Sequence, residues 1–149
     1  MKKFILTVAA VVLVGAGFSA HALEGELDVG RNSTMKTDVT RYSLGTTVSY
    51  GLKVSGVVEN ARDVYDSYGV SVAKSFQVMD KVSLTPKLGV SFVDGKILKD
   101  GWVGRYGIGA AYDLTKTTAL VTDFTRTFDV KNANQYKGNT ITAGVRFAF

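Results

Sequence analysis

From Leu23 to Phe149 the chain alternates apolar and polar residues with a period of two, and no helical period of 3.6 replaces it. The last ten residues show this most plainly. Ile141, Ala143, Val145, Phe147 and Phe149 alternate with Thr140, Thr142, Gly144, Arg146 and Ala148. Successive side chains of a strand point to opposite faces, so this segment has one apolar face and one polar or small face. It also closes on an aromatic residue, where chain ends ordinarily fray.

Seven upstream segments repeat the pattern. The first, Leu23 to Gly30, sets Leu23, Leu27 and Val29 against Glu24, Glu26 and Asp28. Thr40 to Ser49 sets Tyr42, Leu44 and Val48 against Arg41, Ser43 and Gly45. Leu52 to Ala61 sets Leu52, Val54 and Val58 against Lys53, Ser55 and Glu59. Tyr68 to Val78 and Val82 to Val93 follow, with Lys87 on the polar face of the second. Gly101 to Tyr112 sets Trp102, Tyr106, Ile108 and Tyr112 against Arg105, Gly107 and Gly109. Thr117 to Asp129 sets Leu120, Phe124 and Phe128 against Asp123, Thr125 and Thr127.

The connections alternate in length. Arg31–Val39, Arg62–Ser67, Asp94–Asp100 and Val130–Asn139 read as loops, while Tyr50-Gly51, Met79–Lys81 and Asp113–Lys116 read as tight turns. Eight strands with alternating connections predict an all-β, eight-stranded antiparallel up-and-down barrel, the smallest common size, whose lumen side chains can fill.

Alternation alone does not say which face is outside. The polar face does. Arg41, Lys53, Glu59, Lys87, Arg105, Asp123 and Arg146 lie on it, interleaved with Gly45, Gly89, Gly107, Gly109 and Gly144. Long charged chains beside glycines suit a narrow lumen, whereas glycines on a solvated face only weaken strands. The aromatics agree. Tyr42, Tyr68, Phe92, Trp102 and Phe128 fall near one rim, and Phe76, Tyr112, Phe147 and Phe149 near the other. The ten steps from Trp102 to Tyr112, at about 3.3 Å each and a tilt of about 40°, span roughly 25 Å, the height of an apolar band between aromatic girdles. The barrel is therefore expected to be transmembrane. Lys74 and Arg126 then fall on the lipid face near strand ends, where they can snorkel to head groups. Pro86 lies within a strand and predicts a bulge or register error.

The N-terminus supports export. Lys2 and Lys3 precede an apolar stretch from Phe4 to Gly17, and Ala20-His21-Ala22 is a small-x-small cleavage site. This predicts a cleaved signal peptide over residues 1–22 and a mature barrel over 23–149. Without Lys2 and Lys3 the basic residues number 18 − 2 = 16 against 13 acidic, too balanced and too scattered for nucleic-acid binding. Cysteine is absent, so no disulfide or thiolate metal site exists. Asp63, Asp66, Asp94 and Asp100 are too scattered for a calcium motif. No cofactor or metal is expected.

The C-terminal arrangement of Thr142, Gly144, Phe147 and Phe149 resembles the terminal signal of bacterial outer-membrane β-barrel proteins. The whole stretch from residue 23 resembles, in architecture, the small eight-stranded barrels typified by the transmembrane domain of outer membrane protein A and by the OmpX and Ail group. The resemblance implies an outer-membrane location in a Gram-negative bacterium, insertion by the barrel-insertion machinery, and contact with outer-membrane lipid and lipopolysaccharide. A monomer is expected. The short outer loops argue against the adhesive strands the resemblance would otherwise imply.

Function follows from the lumen. If its charges pair, the barrel is plugged and acts as a non-enzymatic structural or surface-interaction protein; if they are hydrated, it is a narrow pore for small solutes. A soluble periplasmic ligand-binding barrel is the remaining reading. A His-based enzyme is excluded from the mature chain, because the only His is His21, within the segment assigned to the signal.

Overall fold

The structure, a computed structural model, describes residues 21–149. Residues 1–20 of the expected signal peptide, which spans 1–22, lie outside the described residues, and His21 and Ala22 belong to the first strand. Nine strand segments account for most of these residues: β1 (His21–Asn32), β2 (Thr37–Thr47), β3 (Leu52–Ala61), β4 (Tyr65–Lys74), β5 (Phe76–Met79), β6 (Val82–Gly95), β7 (Gly101–Asp113), β8 (Thr118–Lys131) and β9 (Gly138–Ala148). Each pairs antiparallel with its neighbours, and β9 pairs with β1 to close the sheet. Segments β4 and β5 both pair with β6 and form one broken strand. The result is a closed eight-stranded up-and-down barrel.

The break between β4 and β5 has a local cause. It lies opposite Pro86, which has no N–H to donate. Pro86 still stands opposite Ile108 of β7, so only the ladder toward β4 and β5 is interrupted. The expected bulge does not form. Ala73 faces Lys87 before the gap and Phe76 faces Leu84 after it, so the register is unchanged across Pro86. The hydroxyls of Ser75 and Thr85, 2.9 Å apart, bridge the gap instead.

The register fixes the barrel's shape. Inward-facing partners trace a path through Glu24, Gly45, Ser55, Ser71, Gly89, Arg105, Thr127 and Gly138. The β9–β1 register returns it to the chain at Thr34, 34 − 24 = 10 residues farther on. Ten residues at about 3.3 Å, against eight strands about 4.8 Å apart, tilt the strands by about 41° and give a backbone radius of about 8 Å. A lumen that narrow is filled by side chains.

The faces are as the alternation predicts. Leu27, Val29, Val70, Leu88, Ile108, Phe124 and Ile141 are exposed on the outside, while Asp28, Ser55, Glu59, Thr85, Ser91, Asp123 and Thr142 are buried inside. This inverts the layout of a water-soluble barrel, in which the greasy face fills the interior. Of the residues expected to form a girdle, Tyr42, Trp102, Tyr112 and Phe128 are exposed on the outside, and Tyr68 is half-buried there. Phe92 and Trp102 meet edge to face at 5.5 Å. The ring of Phe128 lies over Gly104, where any Cβ would collide with it. Lys74 and Arg126 also face outward, and the Lys74 ammonium sits 5.6 Å from the centre of the Phe76 ring.

The strands run further than the alternation indicates. β1 reaches Asn32, β2 starts at Thr37, β4 at Tyr65, β6 runs to Gly95 and β8 to Lys131. The four connections expected to be long shrink to residues 33–36, 62–64, 96–100 and 132–137, close in length to the opposite turns at 48–51, 80–81 and 114–117. They are well organised. The Asn32 side-chain oxygen accepts from the backbone N–H of Thr34 and Met35. Lys36, Asp63 and Asn132 adopt left-handed backbone geometry, at φ 54°, 58° and 56°. A 3-10 turn, Asn134–Tyr136, folds over this end of the lumen. Its Tyr136 packs with Ala133, Val39, Ala61, Tyr65, Val93 and Val103 into an apolar cap. At the opposite end Phe149 is tied down, its N–H donating to the Leu23 carbonyl at 2.8 Å.

Candidate functional site: the luminal charge network

Among the described residues, ten charged side chains gather in the lumen below the apolar cap. Strand parity puts them there, and the shear decides which of them meet. Arg41 (β2), Lys53 and Glu59 (β3), Lys87 (β6), Arg105 (β7), Asp123 (β8) and Arg146 (β9) all point inward and join one network with Glu24 and Glu26 of β1, and Asp28 of β1 lies beside Glu26 and Asp123. Five are cations and five are anions.

The upper cluster, next to the cap, centres on Glu59. Arg41 donates to Glu59 Oε2 through Nε at 3.0 Å and Nη2 at 2.7 Å. Arg105 Nη2 donates to Glu59 Oε1 at 2.9 Å and to Ser67 Oγ at 3.0 Å. The Tyr65 hydroxyl donates to Glu59 Oε1 at 2.7 Å. A carboxylate with 2% of its surface exposed thus holds two guanidiniums and a phenol. Bidentate, charge-assisted bonds of this kind are the strong ones, and burial removes the water that would screen them.

The lower cluster is more acidic. Lys53 Nζ bonds Glu24 Oε2 at 2.7 Å. Arg146 Nε bonds Glu26 Oε2 at 3.0 Å and lies 3.9 Å from Glu24. Lys87 Nζ joins Glu26 Oε1, at 3.3 Å, to Asp123 Oδ2. Arg41 Nη1, 3.9 Å from Asp123 Oδ2, links the two clusters. Asp28 is different: both its carboxylate oxygens are buried with no hydrogen-bond partner. Glycines make room for the carboxylates. Asp28 Oδ1 lies where a Cβ on Gly144 would sit, and Asp123 Oδ1 where one on Gly109 would sit.

A cavity of about 60 Å³ remains beside the network, lined by Lys53, Ser55, Ala73, Thr85 and Lys87 among others. Its volume suits about two water molecules. The apolar cap stands above it, and Ala111, Ala119 and Val121 form a second buried apolar cluster.

Two contributors escape the sequence reading. Tyr65 falls in a stretch read as loop, yet it is inward, buried and bonded to Glu59. Tyr136 also falls in an expected loop, yet it stacks edge-on against Tyr65 at 5.3 Å and donates to the Lys99 carbonyl at 2.9 Å. Tyr65 shares the parity of Ser67, Gly69 and Ser71, and the signal for it is the continuation of that alternation back to the Arg62-Asp63 turn. Gly144, Phe147 and Phe149, the expected insertion signal, occupy the end of β9 and the residue after it, with both aromatic rings exposed on the outside.

The same architecture recurs among solved structures. The N-terminal β-barrel domain of Pseudomonas aeruginosa OprF superposes with a TM-score of 0.71 at 12% identity, covering 87% of this chain and 98% of that one. Neisserial surface protein A superposes at 0.68 and 14% identity, covering 86% and 96%. Yersinia pestis outer membrane protein Ail superposes at 0.56 and 13% identity, covering 85% and 99%. At such identities the likeness establishes the fold alone. No curated protein sequence matches the chain. The family model for the outer membrane protein beta-barrel domain matches residues 8–149, nearly the whole length. With its apolar exterior and charged interior, the chain belongs to the outer membrane protein β-barrel domain family.

Proposed function

We propose that this protein is a non-enzymatic barrel of the Gram-negative outer membrane whose lumen is plugged by its own charges, leaving a structural or surface-interaction role. The observation that carries the reading is the matched network: five cations and five anions, nearly all in bonding contact, beneath an apolar cap. A hydrated pore needs free charges and a water path, whereas here Glu59 and Asp123 are buried and already engaged. Unpaired buried charge costs several kcal/mol, so paired charges hold one another in place.

The exterior suits contact with lipid and lipopolysaccharide. Lys74 and Arg126 face outward, and Arg62, Lys96, Lys99, Lys131 and Lys137 surround the loop end, where phosphates would meet them. Export through a cleaved signal peptide, recognition of Phe147 and Phe149 by the insertion machinery, and a monomeric state belong to the same reading. The test is a planar bilayer recording of the folded protein. No stable conductance is expected. Reproducible open-channel steps would favour the narrow pore instead.

A further inference from the structure

The luminal charges balance overall but not locally. The upper cluster has two cations, Arg41 and Arg105, for one anion, Glu59. The lower has three cations, Lys53, Lys87 and Arg146, for four anions, Glu24, Glu26, Asp28 and Asp123. Its deficit is one positive charge, and it falls on Asp28. That carboxylate is 1% exposed, and neither oxygen has a partner. Lys87 bonds Glu26 and Asp123, Arg146 bonds Glu26 and approaches Glu24, and Arg41, bonded to Glu59, lies 3.9 Å from Asp123, so all three are engaged with other carboxylates. An ionised carboxylate so placed is costly to leave bare.

A second observation points to the same spot. Thr142 stands directly across from Asp123 on β9, faces inward, and buries an Oγ1 that also lacks a partner. It sits two residues from Gly144, the glycine over which Asp28 lies. Oxygens of Glu26, Asp28 and Asp123 lie within 4.8 Å of one another. An ion held at about 2.4 Å, the spacing of calcium-sized cations, keeps its oxygens no more than about 4.8 Å apart. The donors are all hard oxygens, and the adjoining cavity of about 60 Å³ can supply water ligands.

We propose that Glu26, Asp28, Asp123 and Thr142 bind one small monovalent cation of sodium's size inside the barrel. Size admits sodium or calcium; charge separates them. One positive charge brings the lower cluster from −1 to 0, whereas a divalent ion takes it to +1 beside Lys87 and Arg146. The ion pins β1, β8 and β9 together at the seam where the barrel closes. This goes beyond the plug itself: open-channel steps would refute the plug while leaving the cation's effect on stability to be measured separately.

The test melts the refolded full barrel at constant pH and ionic strength in sodium chloride, choline chloride or calcium chloride, following Trp102 fluorescence. The melting temperature is expected to be several degrees higher in sodium than in choline, and the Asp28→Asn barrel is expected to melt alike in both. Equal melting of the wild type in sodium and choline overturns the proposal, because a proton on Asp28 then suffices. A sodium effect that survives Asp28→Asn overturns the site. A larger calcium effect abolished by Asp28→Asn overturns the monovalent assignment. If Asp28→Asn does not fold, Thr142→Val carries the same comparison. Sodium NMR line broadening by the wild type, absent from Thr142→Val, supports the site, and equal broadening by both overturns it.

Discussion

Glu59→Gln isolates the upper cluster, because it keeps the side chain's shape and removes its charge. Glu59 accepts two bonds from Arg41, one from Arg105 and one from Tyr65. Taken singly, bonds to a charged group contribute about 1.5–3 kcal/mol each, but they share one carboxylate and do not add. The cost is set by the charges left behind. Arg41 keeps Asp123 at 3.9 Å, whereas Arg105 keeps only the neutral Ser67 hydroxyl at 3.0 Å. One guanidinium is therefore left without a carboxylate inside the barrel, and breaking a buried pair this way costs about 3–5 kcal/mol. The loss is a large share of a typical folding free energy of about 5–15 kcal/mol. Urea unfolding in lipid vesicles, followed through Trp102, the sole tryptophan, measures it. Adding Arg105→Met should recover much of the loss, because the stranded charge is gone. A cost below about 1 kcal/mol, with no recovery in the double variant, would show that water already screens these charges and would refute the paired-network reasoning.

Other expectations test separate parts of the account. Ile108→Arg places a cation on the outside, midway between Trp102 and Tyr112, and should cost about 2–4 kcal/mol in vesicles, measured by the same unfolding assay. Gly104→Ala must displace the Phe128 ring and should cost about 1–3 kcal/mol, whereas Phe128→Leu with Gly104→Ala should recover part of it. Pro86→Ala restores a backbone donor opposite the β4–β5 gap, so amide hydrogen exchange at Lys74 and Ser75 should slow. Phe149→Ala should lower the amount of folded barrel in cells more than it lowers refolding yield into vesicles, if the insertion machinery reads that ring; an equal drop in both would assign Phe149 a purely structural role.

The sequence conveys the faces of the barrel better than its ends. Between the girdles, lipid outside and packed charges inside impose opposite demands on alternate residues, so Tyr42 to Val48 or Trp102 to Tyr112 reveal themselves at once. Beyond the girdles both faces meet water, and the contrast fades. Asn32, Thr37, Asp38, Asp94 and Asn139 therefore resemble loop residues although they lie in strands. Tyr65 was hidden for the same reason, sitting just past a three-residue turn at 62–64. Pro86 misled in another way. Its missing donor matters only toward one neighbour, so the ladder breaks at Ser75 while the register holds.

The network shows a different limit. Parity assigns Arg41, Lys53, Lys87, Arg105 and Arg146 to the interior, but pairing depends on the shear, which shifts the register by ten residues around the barrel. Lys87 meets Glu26, 61 positions away in the chain, and Arg146 meets the same carboxylate across 120. No local pattern carries such information. The local imbalance around Asp28 is likewise invisible until the register is known.

The central claim is a closed barrel seated in the outer membrane with its charged face inward. Washed outer membranes, run on a gel with and without boiling, test it most directly. The protein is expected in the membrane fraction, with unboiled and boiled samples migrating differently because the barrel survives detergent when cold. A soluble protein that migrates identically with or without boiling would contradict it.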